Sequence, residues 1–101
     1  MKPYPFKQII DRKQYNTSTA TLLAGNDWWD GNNWERGGTN QFLYRTPKGA
    51  YFTLNLTQWE GRNDCIEVVS LDEAIELYEG PLRKHRVEYD EAFPGVTVEE
   101  A

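Results

Sequence analysis

Two runs of alternating side chains, joined by Pro47-Lys48-Gly49, constrain this chain more than any other feature. Gln41 to Thr46 and Ala50 to Thr57 are rich in aromatic and β-branched residues, the composition of strands. Pro47 presets φ for the first central position of a turn, and Gly49 is free to take the left-handed conformation that restores pairing through a bulge. The segment therefore predicts a β-hairpin. Phe52, Leu54 and Leu56 point to one side, and Tyr51, Thr53, Asn55 and Thr57 to the other. That alternation predicts a sheet with one buried face.

The remaining elements are read outward from this hairpin. Phe6 to Asp11 predicts a short strand, followed by a polar turn over Asp11 to Gln14. The run from Tyr15 to Gly25 fits a capped short helix or a strand. Its alternating threonines favour a strand over residues 19–24. Cys65 to Val69 predicts another strand. Ser70-Leu71-Asp72-Glu73 has the form of a capping box, and Leu71, Ala74, Ile75 and Tyr78 make one apolar stripe of a helix running to about Glu79. Gly80 and Pro81 stop it. Between Val87 and Pro94 there is room for one helical turn, with Tyr89 and Phe93 four apart and able to pack together.

Together these predict an α+β fold: a single antiparallel sheet of four to five strands with one helix packed on one face. The expected core is Ile10, Leu22, Phe42, Tyr44, Phe52, Leu54, Ile66, Val68, Leu71, Ile75 and Tyr78. A chain of 101 residues is the size of one domain. Residues 1–101 are read as that domain, compact over about 6–93, with the tail 94–101 frayed.

Charge is unevenly spread. Residues 1–63 hold eight Lys or Arg against five Asp or Glu, and residues 64–101 hold three against eleven. An acidic second half argues against nucleic acid as a direct ligand, because phosphate contacts need clustered cations. It suits a partner that is itself basic. The bland alternative is a solvated helix face. No secretory signal or membrane-length apolar run is visible. The single cysteine, Cys65, has no partner for an internal disulfide, which fits a reducing cytoplasm.

Catalytic and metal chemistry find little support. Cys65 and His85 are singletons, so a Cys–His dyad would rest on two isolated residues, and one Cys with one His cannot complete a structural zinc site. Neither a cofactor nor a catalytic set is expected. His85 sits in a basic cluster with Arg83, Lys84 and Arg86, read as a surface feature. The segment from Asn26 to about Asn40 is a long loop that carries Trp28, Trp29 and Trp34 among turn formers. Those three side chains are core lids, anchors for a protein partner or stacking platforms for a sugar or base.

Three short segments carry a resemblance: Lys13 to Ala20, Leu43 to Phe52, and Val68 to Ala74. They resemble a group of small uncharacterised proteins of bacteria and their phages or mobile elements, with the pattern KxYDTxTA, LYRTKKGxYF and IPLxEEEA. The middle segment is the most specific. Asn16 replaces the usual Asp, and the Trp-rich loop lies outside the shared pattern. The resemblance implies a compact strand-rich domain and a mobile-element accessory role, and it transfers no catalytic residue. The expected function is thus a non-enzymatic, protein-binding accessory protein that inhibits a host nucleic-acid-binding defence complex. Trp28, Trp29 and Trp34 would anchor the partner, and Asp72, Glu73, Glu76 and Glu79 would steer it. The alternative is a small-molecule or carbohydrate module that uses the Trp-rich loop as a stacking platform.

Overall fold

A computed structural model describes residues 4–26, 39–57 and 64–99. Its elements run β1 (Lys7–Ile10), β2 (Lys13–Asn16), β3 (Thr21–Gly25), β4 (Thr39–Arg45), β5 (Tyr51–Thr57), β6 (Cys65–Val69), α1 (Leu71–Glu79), β7 (Lys84–His85) and α2 (Tyr89–Ala92). Strands β3 to β7 form one antiparallel sheet in the order β6-β5-β4-β3-β7, and β1 with β2 forms a separate two-stranded sheet.

The expected single sheet with one packed helix is therefore incorrect. Among the described residues the fold is mostly β, with two sheets and two short helices. The missed sheet begins at a turn that breaks the usual chemistry. Ile10 pairs with Lys13, leaving Asp11 and Arg12 as a two-residue loop with φ of 52° and 65°. Such turns normally use Asn-Gly or Asp-Gly, because β-carbons crowd the left-handed region. A double change Asp11→Asn, Arg12→Gly supplies that chemistry. It is expected to raise stability by about 1 kcal/mol, seen as a melting point higher by about 4–8 °C. An unchanged or lower melting point would mean that the turn is not strained.

The β4–β5 hairpin follows the sequence closely. Thr46 and Ala50 close it through Thr46 N–H to Ala50 C=O at 2.8 Å, and Gly49 donates to Thr46 C=O at 2.9 Å with φ of 90°. The side chain of Thr46 also accepts from the Ala50 amide at 3.0 Å.

Both faces of this hairpin are covered, not one. Tyr15, Phe42, Tyr44, Phe52, Leu54, Leu56 and Ile66 pack beneath the β1–β2 hairpin, joined by Phe6, Ile10 and Leu22. On the other face Leu23, Leu43, Tyr51, Val69, Ala74, Tyr78, Leu82 and Phe93 pack beneath the helices. Thr53, placed by its polarity on a solvent face, is fully buried, and its hydroxyl lies 3.5 Å from the Glu67 carbonyl. The domain is thus three layers: hairpin, sheet, helices.

Of the expected core, Phe42, Tyr44, Phe52, Leu54, Ile66 and Tyr78 are buried, while Ile10, Leu22 and Ile75 are half-buried. Val68 and Leu71 are 43% and 44% exposed. Strand β6 is the outermost strand of its sheet and α1 starts directly beyond it, so these two side chains overhang the edge. The edge is partly closed by the hairpin: the side-chain oxygen of Gln8 accepts the Ile66 amide at 2.9 Å.

Helix α1 starts at the predicted cap. Ser70 Oγ accepts the Glu73 amide at 3.1 Å, and its hydroxyl lies 3.3 Å from Glu73 Oε1. The helix ends at Gly80, where a β-carbon would stand 2.9 Å from the Glu76 carbonyl oxygen. After α1 the chain has crossed the sheet, and β7 pairs with β3 at the far edge through Ala24–His85 and Gly25–Lys84. Among the described residues no helix is long and apolar enough to cross a membrane.

Candidate acidic interface

Asp72, Glu73, Glu76 and Glu79 are all exposed on α1. At 100° per residue, Asp72, Glu76 and Glu79 fall on one stripe, with Glu73 to its side. The buried side of the helix is set by Ala74 and Tyr78. Two of the four carboxylates have internal partners as well. Glu73 completes the cap at Ser70, and Glu79 Oε2 accepts the Tyr89 hydroxyl at 2.8 Å.

That second bond brings α2 beside the end of α1. Tyr89 and Tyr78 meet edge to face with ring centroids 5.5 Å apart, and Phe93 lies 5.4 Å from Tyr78 and 5.3 Å from Tyr89. Glu88, Asp90 and Glu91 are exposed around this turn. The phenol of Tyr89 is held above its ordinary pKa, chiefly by its hydrogen bond to Glu79 and then by burial and the Glu79 charge. Burial raises that of Tyr78, with the charges of Glu88 and Asp90 adding to it. Carboxylates from two elements therefore act on one pair of rings. Sequence reasoning named only the α1 set. The signal for the rest was present in the acidic run around Tyr89, but the contact that joins it to α1 is tertiary.

The basic cluster of the sequence has a structural place. His85 stacks on Tyr78 with centroids 3.7 Å apart, and its Nε2 donates to the Tyr78 carbonyl at 2.6 Å. Arg86 donates its amide to the Leu23 carbonyl at 2.8 Å, tying the strip to the edge of the sheet. Lys7, Arg12 and Lys13 are exposed on the β1–β2 hairpin, which covers the opposite face of the sheet. The carboxylates of α1 and α2 thus stand on the helical side of the sheet, where Arg86 also lies beside Glu88 and Glu91, and Lys7, Arg12 and Lys13 stand on the hairpin side.

Cys65 and His85 lie on opposite edges of the sheet, with β5, β4 and β3 between them. Four strand spacings of about 4.8 Å put them roughly 19 Å apart, too far for a dyad. Among the described residues no three metal-ligating side chains come together.

Trp28, Trp29 and Trp34 lie outside the described residues. The strand ends that flank their segment are firmly joined. Asn26 Oδ1 accepts the Gln41 amide at 2.9 Å and the Asn40 side-chain amide at 3.1 Å, and Asn40 is buried.

The three segments that carry the resemblance have work to do in the fold. Asn16 Oδ1 accepts the Ser18 amide at 2.9 Å, which an Asp carboxylate would do equally well. Thr17 Oγ1 accepts the Phe6 amide at 2.9 Å. Arg45 donates to the Glu91 and Ala92 carbonyls, and the Tyr51 hydroxyl donates to the Ala92 carbonyl at 3.0 Å, so the hairpin holds the end of α2. Compared with protein-family models, with curated proteins and with solved structures, the chain gives no match in any of the three.

Proposed function

We propose that this protein is a non-enzymatic binding protein whose acidic helical layer engages a basic, nucleic-acid-binding protein partner. The observation that supports this reading is the joint placement of Asp72, Glu76 and Glu79 with Glu88, Asp90 and Glu91 on one layer of the domain. An array of exposed carboxylates presents to cationic side chains what a phosphate backbone presents, and it speeds and orients encounter with a basic surface. The specific form proposed is an accessory factor of a phage or mobile element that occupies the nucleic-acid site of a host defence complex. Trp28, Trp29 and Trp34 are proposed as its apolar anchors.

The test is capture of host nucleic-acid-binding proteins on the immobilised protein, followed by elution with salt and competition with DNA. Retention is expected to fall on the order of tenfold or more between low and physiological salt, and DNA is expected to release the captured protein. Replacing Asp72, Glu76 and Asp90 together by Lys should lower affinity by about 100-fold or more, since like charges are then juxtaposed. Capture that ignores salt, DNA and the triple replacement would sink the proposal.

A further inference from the structure

The chain has a formal net charge of −5, yet the groove beside the β4–β5 turn has no Asp or Glu on its walls. It is an open hollow of about 630 Å³ between that turn, the junction of β6 with α1, and Pro94. Tyr51, Val69, Leu71 and Pro94 give it an apolar lining. Tyr51 and Val69 are buried, whereas Leu71 and Pro94 are exposed. Arg45 and Lys48 supply its charge. Small-molecule sites are commonly of this size and of this make-up, an apolar lining with a few polar groups that fix orientation.

The state of the two cations narrows the ligand. Arg45 is half-buried, and its Nη1 donates to the Glu91 carbonyl and, at 3.2 Å, to the Ala92 carbonyl. Those bonds fix the guanidinium without neutralising it, because both acceptors are uncharged. Its Nε and Nη2 make no hydrogen bond among the described residues, and Arg45 forms no ion pair there. Nε and Nη2 share one edge of the guanidinium plane, and such an edge meets a carboxylate through two parallel hydrogen bonds. A guanidinium already held in place loses little freedom on binding. Lys48 is exposed in the turn and likewise has no ion pair among the described residues. The apolar lining favours a ligand with a hydrophobic body, which an inorganic anion lacks.

We propose that this groove binds an amphiphilic organic carboxylate. The carboxylate meets Arg45 and Lys48, and an aliphatic or aromatic body lies along Tyr51, Val69, Leu71 and Pro94. None of the carboxylates of α1 and α2 lines the groove, so this binding is independent of the basic partner proposed for them. The groove is open and the contact area small, so affinity belongs in the range of about 0.1–10 mM.

Titration of the full chain with sodium octanoate, followed by proton–nitrogen correlation NMR, tests it. Octanoate is expected to shift the Nε–H resonance of Arg45 and the amides of Tyr51, Val69 and Leu71, in a saturable manner. Acetate lacks the body and octanol lacks the charge, so each should bind about tenfold more weakly or worse. Lys48→Glu and Leu71→Asp each change an exposed side chain, and each should weaken octanoate by about tenfold. Octanoate that leaves those resonances unmoved at about 10 mM overturns the proposal. Octanol or acetate that shifts them as strongly as octanoate overturns it too, as does octanoate binding that both replacements leave unchanged.

Discussion

Phe93→Ala is expected to cost about 3–5 kcal/mol of stability, a large share of the roughly 5–15 kcal/mol that holds a domain of this size. The ring is fully buried. It meets Tyr51 and Tyr78 at 5.4 Å and Tyr89 at 5.3 Å, so its removal leaves a cavity lined by three rings that are themselves fixed. Those rings have little freedom to close the gap. Tyr51 is tethered through its hydroxyl to the Ala92 carbonyl, Tyr78 to the Val87 carbonyl at 2.6 Å, and Tyr89 to Glu79. Urea unfolding reads the effect as a lower midpoint with an unchanged slope. Phe93→Leu keeps most of the apolar volume and should recover most of the loss. A Phe93→Ala protein within about 1 kcal/mol of wild type would show that the helical layer collapses onto the space.

Phe52→Ala is expected to cost a similar amount on the other face of the sheet, again about 3–5 kcal/mol. Phe52 stacks on Tyr44 with centroids 5.2 Å apart and planes 5° from parallel, and it meets Tyr15 edge-on at 5.6 Å. Tyr15 belongs to β2, so this ring joins the small sheet to the large one. The second readout is therefore local. Amide exchange at Ile66, whose N–H is held by Gln8, should accelerate more than exchange at residues in the β4–β5 ladder. Equal acceleration at both would mean that the hairpin layer does not open separately.

The parts of this fold that were legible in the sequence are those fixed by local chemistry. Pro47 and Gly49 dictate the β4–β5 turn, Ser70 dictates the start of α1, and Tyr89 and Phe93 meet because they are four apart on a helical turn. The parts that were not legible depend on distant partners. Strand β7 has two residues and exists through its pairing with β3. Strand β2 was hidden by a turn in which Asp11 and Arg12 take a conformation usually left to Gly or Asn. Thr53 looked like a solvent-facing residue because polarity alone was visible, whereas a central strand between two covered faces buries both sides. Val68 and Leu71 failed for the opposite reason, since an apolar residue on an outermost strand has nothing above it. For the candidate site, the exposure of Asp72, Glu73, Glu76 and Glu79 followed from helical spacing. Their union with Glu88, Asp90 and Glu91 required the Glu79–Tyr89 bond, which no spacing rule announces.

The bond between Gln8 and Ile66 spans 58 positions of sequence. Its consequence concerns the order of synthesis. The β1–β2 hairpin packs against Phe52 and Ile66, which are synthesised after it. At about 5–20 residues per second, the hairpin, complete at Asn16, waits roughly 2.5–10 s for Ile66. A two-stranded hairpin is marginal in water by itself. During that interval Phe6, Ile10 and Tyr15 stand without the sheet that later covers them, so this is the stretch that a chaperone would meet on the growing chain.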